Sequence, residues 1–326
     1  MKKEKKYEKP PRLSRILSHD EIGKVIEVGG LASISLRLPV ACNLNCRYCY
    51  GNQNSQGLKY GEITGVLQEA FELGAKSVSI VGEGEPLLYS SGGKDIFSLI
   101  DFIDENQADT ILYSNCTLVT PGIADRLYER NVVVVGKQNS LDPSIQEFLT
   151  GVGTWEKMSI GLRNLKAAGF NKTDPSRMSI HSVISQINYH EIPVMWRIWR
   201  RENIIPYIQV TVPPKDYNEQ FYLDQYVSPS IVRTLFHTLS KIGSEEFGFN
   251  WDPDWTYPIA ALGCNVVKTG CGITPAGEVQ LCAYTEHSLG NVKEQSLREI
   301  IKSREVKRIR EAEYHDLKTG KNKYFY

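Results

Sequence analysis

The chain lacks several features that would define its class at a glance. Thirty-eight basic residues are matched by thirty-eight acidic ones, so no net charge draws it toward nucleic acid or an anionic membrane. No run of about 18 apolar residues occurs, which argues against a membrane-spanning helix. The opening MKKEKKYEKPPRL has no apolar segment for a secretion signal. Cysteine is scarce, at seven in 326 residues, far below a disulfide-built scaffold. What remains is an ordinary globular composition, 41% hydrophobic and 23% charged, enough for one sizeable core and a smaller addition. The expected setting is the cytoplasm, and the expected partner is a small molecule or a short peptide.

The few cysteines are not scattered. The stretch RLPVACNLNCRYCYGN places Cys42, Cys46 and Cys49 within eight residues. Where thiols stay reduced, such a cluster binds metal more readily than it forms bridges. Structural zinc prefers four closed ligands, and no histidine or fourth cysteine stands nearby. Three thiolates on a cubane iron–sulfur cluster instead leave one iron open to a small molecule, an arrangement suited to reaction.

From residue 31 onward, β-favouring runs alternate with helical patterns: ASISLRLPV, KSVSIVG, DTILYSN, NVVVVGKQNS, RMSIHSVIS and IIPYIQV. Six βα units are compatible with a partial barrel or an open doubly wound sheet. In either, a site lies at the carboxyl ends of the strands. The unusual polar segments all follow strands: CNLNCRYC the first, GEGEP the second, SNCT the third and KQNSLD the fourth. In GEGEP, glycines admit close approach to the backbone and carboxylates can receive an ammonium group; a plain turn is the competing reading.

These residues carry a resemblance. CNLNCRYC, with Tyr48 before its last cysteine, resembles the CxxxCxxC motif of the radical S-adenosylmethionine enzymes, and GEGEP stands where that superfamily has its GGEP segment. The resemblance implies a partial (β/α)6 TIM-type barrel and a [4Fe–4S] cluster on Cys42, Cys46 and Cys49. It also implies S-adenosylmethionine chelated to the open iron and cleaved to a 5′-deoxyadenosyl radical. It assigns cofactor contacts to Tyr48, Gly82, Glu83, Gly84, Glu85, Ser114, Asn115 and Asn139; helix capping is the alternative for Ser114, Asn115 and Asn139. Cys116, in SNCT, is a candidate hydrogen donor to a substrate radical, set against a small buried hydrophobe.

A second group, Cys264, Cys271 and Cys282, surrounds a hairpin predicted at ITPAGEVQL. Its spacing resembles the SPASM and twitch extensions, which implies one auxiliary iron–sulfur cluster, a [4Fe–4S] by preference, in a small C-terminal twitch-like domain. No cysteine follows Cys282, so the truncated twitch form is the better match. Zinc completed by His287 is the competing reading. The expected divisions are an N-terminal extension (1–30), the barrel core (31–212), a connecting loop and helix (213–257), the auxiliary domain (258–316) and a tail (317–326).

The resemblance implies hydrogen abstraction, with an external reductant such as flavodoxin or ferredoxin. The expected substrate is a compact polar molecule (a sugar, aminocyclitol or nucleoside), and the expected reaction is dehydrogenation or decarboxylation. Three features lean that way: the short stretch before Cys42, the incomplete SPASM cysteine set and the aromatic loop DYNEQFYLDQY. The paired glycines that end the molybdenum-cofactor cyclases are absent from KNKYFY. Peptide maturation or epimerisation is the rival within the superfamily; a non-catalytic iron–sulfur or zinc protein is the rival outside it. Arg197, Arg200 and Arg201 are candidates for an anionic group or a solvated helix face, and His181 for the barrel interior or its packing.

Overall fold

The computed structural model describes residues 19–49, 51, 56–210, 219–254, 259–260, 266–281 and 287–319. Helix α1 (His19–Glu27) leads into β1 (Ser33–Leu38), α2 (Tyr60–Glu72), β2 (Ser77–Gly82), α3 (Ile96–Glu105), β3 (Asp109–Ser114), α4 (Pro121–Glu129) and β4 (Val133–Lys137). Helices α5 (Pro143–Thr150) and α6 (Thr154–Ala168) then precede β5 (Met178–Ile184), α7 (Ile192–Arg201) and β6 (Ile205–Val210). The six strands lie side by side in chain order, each parallel to the next. A doubly wound sheet would reverse its order at a switch point and carry helices on both faces. Unbroken order winds every crossover the same way, so helices cover one face and the sheet curls around the other as a partial barrel.

The pleat sorts the residues. Ile34, Leu36, Val78, Ile80, Leu112, Val134 and Ile180 join the main core against the helices. Ile111, Val133, Val135 and Tyr207 form a separate small cluster on the inner face. Helix starts follow local chemistry: Asp95 caps α3 through Ser98 N, Thr120 caps α4 and Asp142 caps α5, the last two with proline at the first helical position. Gly151 and Gly153, both at positive φ, separate α5 from α6 where the sequence shows its TGVG interruption.

Several features depart from the sequence pattern. Helix α1 lies in what reads as an extension, with Ile22 and Ile26 buried. Helix α8 (Glu219–Gln225) occupies part of the segment that reads as loop. It shows no period because its anchoring is sparse: Phe221 is buried, with its ring 6.3 Å from Phe148, and Gln225 accepts from Gln186 N and Ile187 N. After α9 (Pro229–Phe247), β7 (Ile259–Ala260) pairs antiparallel with β6. Past α10 (Val266–Thr269), the predicted hairpin forms from β8 (Gly270–Ile273) and β9 (Val279–Gln280), yet β8 runs parallel beside β1 and so extends the barrel sheet. The last helical pattern breaks in two, α11 (Leu297–Ile301) and α12 (Arg304–Thr319), because the Ser303 hydroxyl accepts from Val306 N and starts a second helix. Among the described residues no helix is long and apolar enough to cross a membrane.

Candidate active site

The loop after β1 carries Cys42, Cys46 and Cys49, all partly exposed at the carboxyl end of the barrel. Short-range bonds shape it: Cys49 N donates to Cys46 O at 3.0 Å, Leu44 N to Cys42 Sγ at 3.4 Å and Gly51 N to Cys49 Sγ at 3.4 Å. Long-range bonds then pin it. Asn115 Nδ2 donates to Asn43 Oδ1 at 2.9 Å, and Asn43 Nδ2 donates to Thr117 Oγ1 at 2.8 Å. Asn115 Oδ1 accepts from Thr117 N and Oγ1, which closes the ring of bonds. On the far side, Asn139 Nδ2 donates to Tyr48 Oη at 2.9 Å, and Asn139 Oδ1 accepts from Val183 N at 2.9 Å. The side chains of Asn115 and Asn139 are thus engaged in seating the cysteine loop.

GEGEP lies directly against that loop. Glu83 N donates to Leu38 O and Glu85 N to Ala41 O, both at 3.0 Å. A Cβ on Gly84 would stand 2.2 Å from Ala41 O and 2.6 Å from Cys42 N, so at this glycine the close neighbour is the cysteine loop itself. Glu83 is buried and pairs with Arg37 at 2.5 Å. Glu85 accepts from Ser114 Oγ at 2.8 Å, Asn115 N at 2.8 Å and Leu87 N at 3.2 Å. Burial pushes its carboxyl up to about 7, against the lowering effect of those three donors.

The donor set fits an iron–sulfur group. Burial pushes Cys46 up to about 12, with Cys49 beside it adding to the shift, and burial also raises Cys42. Free thiolates here are therefore costly, and a soft cationic centre shared among them offsets that cost. Amide donors to two of the sulfurs are of the kind that tunes such clusters. Among the described residues, no three His, Cys, Asp or Glu side chains are arranged around a single metal ion.

Elsewhere the placement differs. Cys116 is fully buried in the main core, its backbone packed on α6 at Gly161 and its thiol on Ser114 O at 3.6 Å. A hydrogen donor has to touch the substrate carbon; this thiol faces packed side chains behind the sheet. Cys271 is also fully buried, on the same face of the sheet as Ile34, with Arg310 alongside. Cys264 and Cys282 lie outside the described residues. His287 pairs with Glu305 at 2.9 Å. Arg197 and Arg201 face Glu246 at 2.7 and 3.9 Å, and Arg200 covers the ring of Phe249, so all three serve the surface where α7 meets α9.

Two family models match: the radical SAM superfamily over residues 36–195, and an iron–sulfur cluster-binding (SPASM) domain over residues 264–322, which spans all three later cysteines. The chain belongs to the radical SAM superfamily. The radical SAM domain implies a [4Fe–4S] cluster and S-adenosylmethionine, and the SPASM domain implies auxiliary iron–sulfur. An AdoMet-dependent heme synthase of Methanosarcina barkeri is 24% identical over 311 residues, 86% of this chain and 85% of the relative. A probable GTP 3′,8-cyclase of Pyrococcus abyssi is 28% identical over 199 residues, 60% of this chain and 61% of the relative. Among solved structures, Streptococcus suis SuiB bound to precursor peptide SuiA superposes with a TM-score of 0.67 at 17% identity, covering 88% of this chain and 69% of that one. That likeness concerns the fold.

What the sequence reading of this radical SAM protein missed is the inner wall. Tyr113, Lys137, Tyr207 and Gln209 line it beside His181. The signal for them is the two-residue alternation inside the β-favouring runs, the same alternation that makes His181 a candidate for the barrel interior.

Proposed function

We propose that this radical SAM enzyme oxidises a compact polar small molecule held in the barrel lumen, by dehydrogenation or decarboxylation. In this reading Cys42, Cys46 and Cys49 hold the [4Fe–4S] cluster, and the backbone of Gly82–Glu85 with the Ser114 and Asn115 region frames S-adenosylmethionine. Cys264 and Cys282, on either side of the buried Cys271, are the candidates for the auxiliary centre, and Cys271 itself joins them only if its replacement lowers the iron count. When bound, cluster and cofactor supply a hydrogen-abstracting radical, with the electron drawn from an external donor such as flavodoxin or ferredoxin.

The observation that carries the reading is the inner wall. Its β1–β2 side presents Ser33, Ser35, Ser77 and Ser79 at the register positions that face inward. Its β5–β6 side stacks His181 on Tyr207, with centroids 4.4 Å apart. Hydroxyls on one side and flat aromatic faces on the other suit a small ring bearing oxygens. The relatives matched over the barrel are named for heme synthesis and GTP cyclisation, both small-molecule reactions. Oxidation is favoured over epimerisation because the described thiols outside the triad, Cys116 and Cys271, are packed behind the sheet, where neither can return a hydrogen to a substrate in the lumen.

The test is anaerobic reconstitution followed by reductant and S-adenosylmethionine, with candidate sugars, aminocyclitols and nucleosides deuterated at single carbons. Transfer of deuterium into 5′-deoxyadenosine, with a product two electrons more oxidised, is expected. Turnover of a precursor peptide with no small molecule accepted sinks the substrate assignment; zinc retained in place of iron sinks the whole reading.

A further inference from the structure

Two cations stand at strand ends on the inner wall, and the fold treats them differently. Arg37, near the end of β1, is neutralised by Glu83. Lys137 closes β4, and the groups acting on it electrostatically are the Cys46 and Cys49 thiols of the loop that would hold the cluster. Among the described residues no carboxylate pairs with it. Its Nζ lies instead 3.0 Å from His181 Nδ1, directly across the β4–β5 register.

The chemistry of that contact is constrained. An ammonium has donors only, so Nδ1 accepts, and the imidazole is neutral with its proton on Nε2. That Nε2 is buried, with the Gln209 side chain beside the ring and no hydrogen bond of full geometry. Tyr207 stacked at 19° and Tyr113 edge-on at 88° fix the ring plane. Burial, reinforced by Lys137, holds His181 well below its ordinary range, and burial brings Lys137 down to about 8. The ring of Tyr48, 5.0 Å from Nζ, compensates the cation only in part. Each side chain keeps some accessible surface, although the His181 Nε2 atom itself is covered.

We propose that Lys137 and His181 form an oxyanion pocket in the barrel lumen, which takes a carboxylate or phosphate group of the small-molecule substrate. The inference rests on the lumen-bound substrate proposed above and narrows it to an anionic one. An entering oxyanion gives Lys137 the carboxylate- or phosphate-type partner that no described residue supplies, and an acceptor for its remaining donors. Because Lys137 also touches Tyr48, the anchored group lies next to the cysteine loop, which brings the rest of the substrate toward the reacting centre.

The experiment titrates anaerobically reconstituted, S-adenosylmethionine-loaded protein with inorganic phosphate and with acetate, by calorimetry. Wild type is expected to bind at least one; tighter phosphate assigns a phosphoryl substrate and tighter acetate a carboxylate. Lys137→Met should weaken binding by about tenfold or more, as loss of a charged hydrogen bond does, and Lys137→Arg should restore most of it. His181→Gln should weaken it less, which keeps the test open if Lys137→Met folds poorly. No anion bound by wild type, or equal binding by Lys137→Met, overturns the proposal. So does a matching loss of S-adenosylmethionine affinity in Lys137→Met, because the ammonium then serves the cofactor. Failure of wild type to cleave S-adenosylmethionine under reductant is a separate result and counts against the radical reading itself.

Discussion

Cys42, Cys46 and Cys49 lie partly exposed in a loop beyond the end of β1, whereas Cys116 and Cys271 are fully buried on the helix side of the sheet. Burial pushes Cys116 and Cys271 up to about 12, and each is flanked by packed side chains. The thiols at the mouth share one loop, receive amide hydrogen bonds and are held by partners from three other strand ends. The same side chain is a metal-ligand candidate in one region and a small hydrophobe in the other. What separates them is the direction of the pleat and the presence of a loop that frees several thiols together.

The comparison breaks first if the mouth cysteines prove dispensable. Replacing Cys42, Cys46 and Cys49 together by Ala should remove about four iron atoms per chain, one cubane, and abolish reductive cleavage of S-adenosylmethionine. Iron assay and 5′-deoxyadenosine chromatography read both. Retention of either places the reactive centre elsewhere.

Next in size is the seat beneath the loop. In Gly84→Ala the new methyl group meets backbone at Ala41 and Cys42, atoms that cannot swing aside, so the loop itself must move. We expect a loss of about 2 kcal/mol or more in stability together with poor iron retention. Normal iron uptake in a folded Gly84→Ala protein would show that the loop position is not critical.

The buried carboxyl that supports the same seat gives a pH signature. Glu85 titrates near 7 when folded and near 4.5 when unfolded, so the folded state holds this proton more tightly across that window. Its effect is to lower stability as pH rises from about 4.5 to about 7. Glu85→Gln keeps an acceptor and removes the charge, and its denaturation midpoint should fall less over that range than wild type. Parallel pH profiles for the two proteins would contradict the assignment.

Behind the sheet the expected effects are smaller. Cys271→Ala should cost about 1–2 kcal/mol, as removal of a small buried side chain does, with the iron count unchanged. A drop in iron would move Cys271 into the ligand group beside Cys264 and Cys282, and the contrast between the two regions would then narrow. The mildest change is Tyr48→Phe, which removes the hydrogen bond to Asn139 and should cost about 1 kcal/mol while the cluster is kept.

Much of this was legible in the chain. The six strands announce themselves as β-favouring runs, and the polar segments at their ends converge because parallel strands all finish on one side. The cysteine triad and GEGEP needed only spacing. The inner wall was harder, since SIHSVIS and NVVVVGK read as core strands whichever face is lined. Lys137 and His181 meet through cross-strand register, a relation between residues 44 apart that no local pattern contains.

By itself, then, the sequence determined the βα repeat, the soft-donor loop and the superfamily, because each depends on short-range spacing and local preference. Tertiary structure alone decided that the strands follow unbroken order, that the C-terminal hairpin joins the sheet beside β1, and that Gly84 makes room for the cysteine loop. It also decided which thiols reach the mouth and which are packed away. Those outcomes depend on how segments far apart in the chain share one sheet and exclude one another's atoms, and contacts of that kind exist only once the chain has closed on itself.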